Sequence, residues 1–367
     1  MRLKACKSAG LFEVWVDIAQ GWTEEQKAEF IVKDNVGFGE WEFDVLKSDW
    51  DNDLLSDWGL DLPTMNYQKE KPNFGSSLKD RFIVPPFSIF DTKQGYWQDR
   101  KKIWKDLVGD DGESRQNILS LKEMSTINNG VSILDPVLAE IIVKWFAPEN
   151  ANIIDCFAGD TIFGFVSTYE NNNTFLGIEL REEQSQLNNE RTCDRANYIC
   201  DDGRNIDLYV DEKSKDLLFS CPPYFDLEVY SDDINDASNQ ETYEDFIDIL
   251  DTAFSKSIRM LKDDRFAVIV VGDVRNKKTD CYYDFPGDIK SIFKKNGMFL
   301  YNDIILSDAI GSASMRANNY MRKRKVVKIH QNVLVFWKGN VKNIPNIFPS
   351  LNFDDIKKDT DYDSTDV

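Results

Sequence analysis

An α/β chain built on a doubly wound, mostly parallel sheet is the fold class that the 367-residue sequence predicts. Three observations carry this reading. Short apolar runs stop abruptly in turn formers, as in Asn152-Ile-Ile-Asp-Cys-Phe-Ala-Gly-Asp160 and Asp216-Leu-Leu-Phe-Ser-Cys-Pro-Pro-Tyr224, which is the pattern of strands buried on both faces. Helical segments separate them. From about Ser132 onward seven such runs follow one another, which suits helices layered on a sheet. In such sheets a ligand sits beyond the carboxyl ends of the strands, where both turns fall. The first turn reads as a nucleoside-cofactor loop and the second as the place of chemistry.

Composition bounds the rest. With 42% hydrophobic and 13% aromatic residues the chain can bury a sizeable core. A formal charge of −20 argues against nonspecific nucleic-acid binding, although phosphate contact needs no more than a local basic patch. Cys6, Cys156, Cys193, Cys200, Cys221 and Cys281 show neither CxxC pairing nor regular spacing, and His330 is the single histidine; no metal site is expected. Scattered cysteines and the lack of a signal-like N-terminal segment point to a reducing cytoplasm. No apolar run reaches membrane-spanning length.

The first 65 residues read as a small α+β unit. Residues 2–8 are a short helical stretch, 12–18 alternate like a strand, and Thr23-Glu-Glu-Gln26 is a capping box opening a helix to about Lys33. Trp41, Trp50 and Trp58 supply its core. Residues 66–80 are a polar linker. Residues 94–104 form a helical segment mixing aromatics and bases, and 109–129 a polar surface loop. Asp135-Pro136 starts a helix through Trp145, with Pro at an early helical position. Strands are expected at 152–155, 174–179, 198–200, 216–220, 265–271, 299–306 and 331–337, and helices at 182–197, 243–261 and 286–295. The acidic tail, 346–367, is expected to be disordered.

Three successive strand ends carry nucleoside chemistry. Asp155-Cys-Phe-Ala-Gly159 is a tight glycine turn that brings backbone N–H groups close to a ligand. It lacks the full G-x-G-x-x-G and any Gly-Lys-Ser, so phosphate cradling is not its task. Gly177-Ile-Glu-Leu180 ends the next strand with Glu179, an acid suited to two ribose hydroxyls. Cys200-Asp-Asp-Gly-Arg-Asn205 ends a third with Asp202, placed to meet an adenine amino group. An isolated strand-end acid is more often structural; the ordered trio favours a nucleoside without phosphate.

With these residues in view, 80–340 resembles the amino-directed DNA methyltransferases, which use S-adenosylmethionine to methylate adenine N6 or cytosine N4. The family's Asp-Pro-Phe-x-Gly motif is matched at Asp155, Phe157 and Gly159, with Cys156 in place of Pro. Glu179 and Asp202 fall at the ribose and adenine positions. Asp135, in Ser132-Ile-Leu-Asp-Pro136, lies in the segment that closes over the methionine end in phage methylases. Cys221-Pro222-Pro223-Tyr224 matches the (Asp/Asn/Ser)-Pro-Pro-Tyr motif, and Phe225 to Asp232, Val270-Val-Gly-Asp-Val-Arg275 and His330-Gln-Asn-Val-Leu-Val-Phe336 extend the match. The resemblance implies a Rossmann-like seven-stranded methyltransferase sheet over 81–345, S-adenosyl-L-methionine as cofactor and DNA as partner. Residues 1–65 resemble the back end of a ParB-like N-terminal domain, in the form fused to phage and mobile-element methylases. That resemblance rests on Met1-Arg-Leu-Lys-Ala, Thr23-Glu-Glu-Gln-Lys and Glu29 to Trp41. The Gly-Gly-Asn half that normally precedes is lacking, so no nuclease or nucleotide-binding activity is carried over. A bacterial cytoplasm, with a phage-borne gene, is the implied setting.

The physics of the second turn stands beside the resemblance. An exocyclic amine conjugated to its ring is a poor nucleophile. Acceptors at the first two motif positions can bond its hydrogens and favour a pyramidal nitrogen, and two prolines aim the Pro222 carbonyl. Tyr224 offers a face for an extruded base. A thiol at position 221 is a poorer acceptor than Asp, Asn or Ser; it is nearest the Ser form, and Ser220 offers an oxygen beside it. Adenine and cytosine both stay open, as does a nucleophilic Cys221 acting at pyrimidine carbon 5. Asp226, Glu228 and Tyr230 read equally as pocket or loop residues, Asp273 as a pocket or helix-capping residue, and His330 as structural. The dense basic cluster Arg322, Lys323, Arg324, Lys325 and Lys328 is the candidate for phosphate contacts, and Gly311 to Asn319 reads as mobile. No long segment follows the last strand, so specificity is expected from residues 1–65, 80–130 or 307–330. An RNA methyltransferase and a non-enzymatic ParB-like DNA-binding module are the alternatives.

Overall fold

Apolar runs become strands here because successive side chains enter two different buried layers. The structure is a computed structural model that describes residues 82–108, 134–169, 172–225, 233–307 and 313–348, with Gly21, Thr23 and Lys27. The expected units 1–65 and 66–80, the loop 109–129, residues 226–232 and the tail beyond Phe348 lie essentially outside the described residues. In order, the described elements are β1 (Ile89–Asp91), α1 (Gly95–Val108), α2 (Pro136–Phe146), β2 (Asn152–Asp155), α3 (Ile162–Tyr169), β3 (Thr174–Glu179), α4 (Glu182–Arg191), β4 (Ala196–Cys200), β5 (Lys215–Ser220), α5 (Tyr243–Met260), β6 (Leu261–Val271), α6 (Phe285–Lys295), β7 (Phe299–Ser307), α7 (Ala313–Arg322), β8 (His330–Lys338) and α8 (Ile344–Ile347).

The chain divides into two compact units, residues 1–64 with 310–326, and residues 65–309 with 327–367. The segment 310–326, which the sequence places inside a continuous 81–345 unit, therefore groups with the N-terminal residues. In the first unit α7 takes up residues 313–319 of the stretch 311–319. In the second lies a Rossmann-like sheet of order β1-β7-β8-β6-β5-β2-β3-β4. Neighbours run parallel except around β8, which is antiparallel to both β6 and β7.

Period-two alternation fills both faces. Ile153, Leu217, Phe219, Val268, Val270, Val333 and Val335 enter one apolar layer with Trp97, Trp104, Ile142 and Phe163. Their neighbours Ile154, Leu218, Ala267, Ile269, Val271, Leu334 and Phe336 enter the other, with Phe246, Leu250, Phe254 and Phe293. This double burial is why the strands read as continuous apolar runs.

Several expectations are corrected. Among the described residues the sheet has eight strands, because Ile89–Asp91 adds at the edge parallel to β7; a three-residue strand shortly after a Pro-Pro gives no periodicity to read. Helix α4 ends at Arg191 and not near 197, since Cys193 and Asp194 take positive φ (50° and 57°) and Ala196 already pairs with Phe175. Helix α3 was not legible because it is buried almost all round, Ile162 through Thr168, and so shows no amphipathic stripe. Phe348, assigned to the tail, packs against Phe266 with ring centroids 5.2 Å apart.

A charged anchor joins α1 to α2. Glu140 is 1% exposed and accepts both Nε and Nη2 of Arg100, each at 2.5 Å, and Trp104 Nε1 at 2.8 Å. Removing one partner of such a buried pair strands the other charge. Glu140→Ala should cost about 3–5 kcal/mol in denaturant unfolding, with the loss seen as a lower midpoint at unchanged slope.

Candidate active site

The carboxyl ends of four parallel neighbours, β5, β2, β3 and β4, present the sequence-derived residues in spatial order. Register fixes them: Ile154 lies beside Leu218, Asp155 beside Gly177, and Glu179 beside Cys200. From β2 the order climbs through β3 and β4 on one side and through β5 and β6 on the other. The crevice of this fold thus falls between the ends of β2 and β5.

One buried hydrogen bond closes that gap. Ser220 Oγ donates to Asp155 Oδ1 at 2.7 Å, and the same oxygen accepts Phe157 N–H at 2.9 Å. Ser220 is fully buried, and its hydroxyl proton is committed to Asp155. Burial pushes the Asp155 carboxyl up to about 7, against the two hydrogen bonds and with help from Glu179 and Asp160. Burial also holds the Cys156 thiol well above its usual range.

The loop after β2 is pinned on every side. Gly159 has φ +57°, a left-handed conformation that a side chain would strain. Ala158 N–H donates to Ile178 O at 2.9 Å, and Asn188 Nδ2 donates to Gly159 O at 2.8 Å. Thr161 and Gln184 both donate to Asn188 Oδ1 at 2.8 Å. Asn188 is wholly buried and was missed by sequence reading; a polar residue on the nearly non-amphipathic α4 gives little signal. The Phe157 ring meets Phe254 edge-on at 5.5 Å.

Each outer acid carries its own arginine two residues on. Glu179 Oε1 accepts Arg181 N–H at 3.1 Å and Nε at 2.9 Å. Burial raises its pKa, opposed by the Arg181 charge and by hydrogen bonds from Arg181 and Gly159. Asp202 caps the short helix at 203–208 through Arg204 N–H at 2.8 Å, and it grips the Arg204 guanidinium in a fork, Nε at 2.9 Å and Nη2 at 2.5 Å. Arg204 also donates to Asn235 Oδ1 at 2.7 Å. Beside it, Asp201 accepts Asn205 Nδ2 at 2.9 Å and Tyr209 OH at 2.6 Å, and these bonds help hold its pKa below the usual range.

Asp135 is occupied structurally. Its Oδ1 caps α2 through Val137 N–H at 2.9 Å, and its Oδ2 takes Trp97 Nε1 at 3.2 Å and Lys101 Nζ at 2.8 Å. Because α2 turns directly into β2, its N-terminus stands at the same sheet edge as the glycine loop.

The second turn leaves β5 with Cys221 half-buried against the first apolar layer, Pro222 buried and Pro223 half-buried. Tyr224 is 8% exposed, so little of the ring that the sequence offers to a base reaches solvent. Its ring stands edge-on to Phe285 at 5.9 Å, and its hydroxyl accepts Gln331 Nε2 at 3.1 Å. A Cβ on Gly272 would lie 3.3 Å from that hydroxyl and 2.7 Å from Lys328 Nζ; the glycine at the end of β6 makes room for both. Gln331 is the second residue missed as a contributor, and only its place in the β8 motif singled it out. Asp273 accepts Phe285 N–H at 3.3 Å at the start of α6, and burial raises its pKa against the pull of Lys328. His330 opens β8 opposite Ser307.

The basic cluster is divided. Arg322 ends α7, and Lys323, Arg324 and Lys325 form the turn after it, closed by Lys323 N–H and Lys325 N–H on Tyr320 O at 3.0 Å. These four belong to the 1–64 and 310–326 unit, Lys328 to the sheet unit. Among the described residues no group of three metal-ligating side chains occurs, and no helix is long and apolar enough to cross a membrane.

Residues 215–366, beginning with β5, match the DNA methylase family of N6/N4 type. Among solved structures, the chain is similar to TrmN from Thermus thermophilus at 15% identity, over 56% of this chain and 49% of that one, with a TM-score of 0.39. A second Thermus thermophilus protein, provisionally described as a DNA modification methylase and complexed with S-adenosyl-L-methionine, matches at 23% identity over 38% of this chain and 51% of its own, TM-score 0.28. An rRNA methylase from Clostridium thermocellum, provisionally so described, matches at 14% identity over 57% of this chain and 100% of its own, TM-score 0.37. The chain thus spans about half the length of the first two. No curated relative matches it.

A carboxyl whose folded pKa is raised binds its proton more tightly in the native state, so its stabilising share is full below the unfolded pKa and lost as pH rises through the folded one. For Asp155 that window runs from about 4 to about 7. Asp155→Asn, which keeps an acceptor for Ser220 and Phe157, should flatten the fall in Tm across this window relative to the unaltered protein. For the second turn, a double-mutant cycle of Tyr224→Phe with Gln331→Leu should show a coupling of about 0.5–1.5 kcal/mol in unfolding free energy; additive losses would deny the bond.

Proposed function

We propose that the chain is an S-adenosyl-L-methionine-dependent DNA methyltransferase acting on an exocyclic amino group, adenine N6 or cytosine N4. The observation that carries this reading is the Ser220–Asp155 hydrogen bond of 2.7 Å. It ties the glycine loop to the strand that carries Cys221-Pro-Pro-Tyr224, so the cofactor-side and substrate-side residues share one crevice.

The donor set suits a nucleoside carrying a sulfonium and no phosphate. Glu179, Asp201 and Asp202 line the ends of β3 and β4 as acids, and the one partly exposed apolar ring in the glycine loop is Phe157. Bound there, the cofactor would supply an electrophilic methyl group. Glu179 would accept the ribose hydroxyls, sharing its carboxylate with Arg181. Asp202 would accept the adenine amino group, with Arg204 yielding part of its fork. Phe157 would pack the adenine, and Asp135 would hold the segment entering α2 over the methionine end.

On the substrate side the Pro222 carbonyl would accept a hydrogen bond from the target amine, a fixed dipole aimed at the charge that develops on nitrogen. Cys221 sits beside it. Tyr224 is locked by Gln331 and Phe285, so a base stacking on this ring has to displace whatever covers it. That constraint is compatible with a base extruded from a duplex, which enters its pocket at a cost of a few kcal/mol.

The finer features rest on sequence motifs: a ParB-like character for residues 1–65, separated by 66–80 from a methyltransferase unit, a phage or mobile-element origin, and a place in restriction–modification. A cytoplasmic location and phosphate contacts by Arg322, Lys323, Arg324, Lys325 and Lys328 belong to the same reading.

Nucleoside mass spectrometry of DNA from cells expressing the protein should show N6-methyladenine or N4-methylcytosine. Methylation confined to RNA, or 5-methylcytosine, would replace this reading with one of its rivals. Pro223→Ala and Tyr224→Ala should each lower the methylation rate by about a hundredfold or more while cofactor binding by calorimetry survives. Cys221→Ser should keep activity, whereas a nucleophilic role at carbon 5 requires its loss.

A further inference from the structure

Between β6 and α6 the chain makes an antiparallel hairpin to which the methyltransferase chemistry assigns no task. It is closed by Asn276 N–H on Cys281 O at 2.9 Å and Tyr283 N–H on Val274 O at 3.1 Å, with Arg275 paired to Tyr282. Asn276 Oδ1 orders the tip by accepting Lys278 N–H at 2.8 Å and Thr279 N–H at 3.0 Å.

Its base is fixed to the catalytic turn. Tyr283 stacks on Tyr243 at 4.1 Å and 13°, and both rings stand edge-on to Phe225, the residue after Tyr224, at 5.6 Å. The hairpin leaves the carboxyl end of β6, which lies parallel to β5 with Ser220 beside Ile269. It therefore projects from the same sheet edge as Cys221 to Tyr224, and a shared aromatic group holds the two together.

Its outer surface is cationic and aromatic. Lys277, Lys278 and Tyr282 are exposed, Tyr282 at 39%. The Arg275 guanidinium lies over the Tyr282 ring at 3.9 Å, and its Nη1 donates to Asp280 O at 2.8 Å. Asp280 is half-buried and Asp284, at the hairpin's base, is exposed. In a chain of net charge −20, a preordered arginine on an exposed ring beside two lysines, at the edge where the substrate must arrive, suits a polyanion with flat faces. Nucleic acid supplies both, through phosphate charge and base or sugar faces.

We propose that this hairpin, residues 274–283, is a DNA-contacting element: Lys277 and Lys278 neutralise phosphates flanking the target base, and Arg275 and Tyr282 present a stacked pair to the strand. The assignment rests on the methyltransferase reading and names where its substrate is held.

The test uses the full chain with cofactor and duplex DNA. Lys277→Glu with Lys278→Glu reverses two exposed charges. It should raise KM for DNA about tenfold at unchanged calorimetric affinity for S-adenosyl-L-methionine. Lys277→Ala with Lys278→Ala should reduce the slope of log affinity against log salt by about 1.8, two phosphate contacts at about 0.9 each. Tyr282→Ala should weaken DNA binding with little change in that slope. Unchanged DNA affinity and salt slope in the lysine variants, in a protein that still methylates DNA, would overturn the hairpin assignment and leave the enzyme reading intact. An unaltered protein that neither binds nor methylates duplex DNA would overturn both.

Discussion

The hydrogen bond from Ser220 to Asp155 is the constraint on which the site depends. It sits where strand order reverses, so it joins the ends of two strands that the chain reaches about sixty residues apart. Leaving a carboxylate 1% exposed costs free energy unless its oxygens are met, and here a serine hydroxyl and a backbone N–H meet them. The bond also reads out register. With Ile153 beside Leu217 and Ile154 beside Leu218, Ser220 reaches Asp155. A slip of one residue would turn Ser220 to the opposite layer and bring Cys221 into its place.

Crowding of acids at this edge has a local solution. Asp155, Asp160, Glu179, Asp201 and Asp202 converge on the ends of β2, β3 and β4, and the charges of Glu179 and Asp160 help raise the pKa of Asp155. Glu179 and Asp202 each take an arginine two residues ahead, Arg181 and Arg204. The Arg204 guanidinium holds Asp202 in a fork, and Arg181 meets one Glu179 oxygen through both its backbone N–H and its Nε, so each carboxylate is oriented by more than one contact. Arg204 goes further, since its second bond to Asn235 links the β4 end to the chain that follows the catalytic turn. The strand ends on either side of the crevice are therefore coupled through polar contacts as well as through the sheet.

How far the sequence disclosed this depended on the kind of signal. Strand β2 was legible to the residue because it is an apolar run that ends in a turn former, and β3 because its mostly buried run ends at the acid Glu179. Asp155, Glu179 and Asp202 were legible as strand-end acids, and the structure brings their strand ends together. What each acid bonds was not legible: that Asp135 caps α2, or that Asp202 holds Arg204, depends on side-chain directions set by packing. Asn188 and Gln331 act through side-chain hydrogen bonds from within regular elements, and no local pattern marks such residues. Helix α3 lacked a stripe because it has no exposed side. The division of the basic cluster was hidden as well, since Arg322 through Lys325 and Lys328 are neighbours in sequence but fall in different compact units.

A net charge of −20 raises the question of how such a surface could admit a polyanion. The Debye length at physiological salt is about 8 Å, so distant acids are screened and the charges within that range of the crevice decide. Those near the Cys221–Tyr224 turn include several cations: Lys328 lies against Gly272 beside the Tyr224 hydroxyl, and Arg275, Lys277 and Lys278 follow within a few residues of the same strand end. Acids are interspersed among them, Asp273 and Asp280 half-buried and Asp284 exposed, whereas on the β3 and β4 side Arg181 and Arg204 pair with Glu179 and Asp202. A β6 side on which cations and acids are mixed and a β3 and β4 side on which acids dominate make the sheet edge electrostatically uneven. A neutral-to-cationic nucleoside cofactor and an anionic strand would then be drawn to opposite halves of one crevice, which meet at Ser220 and Asp155.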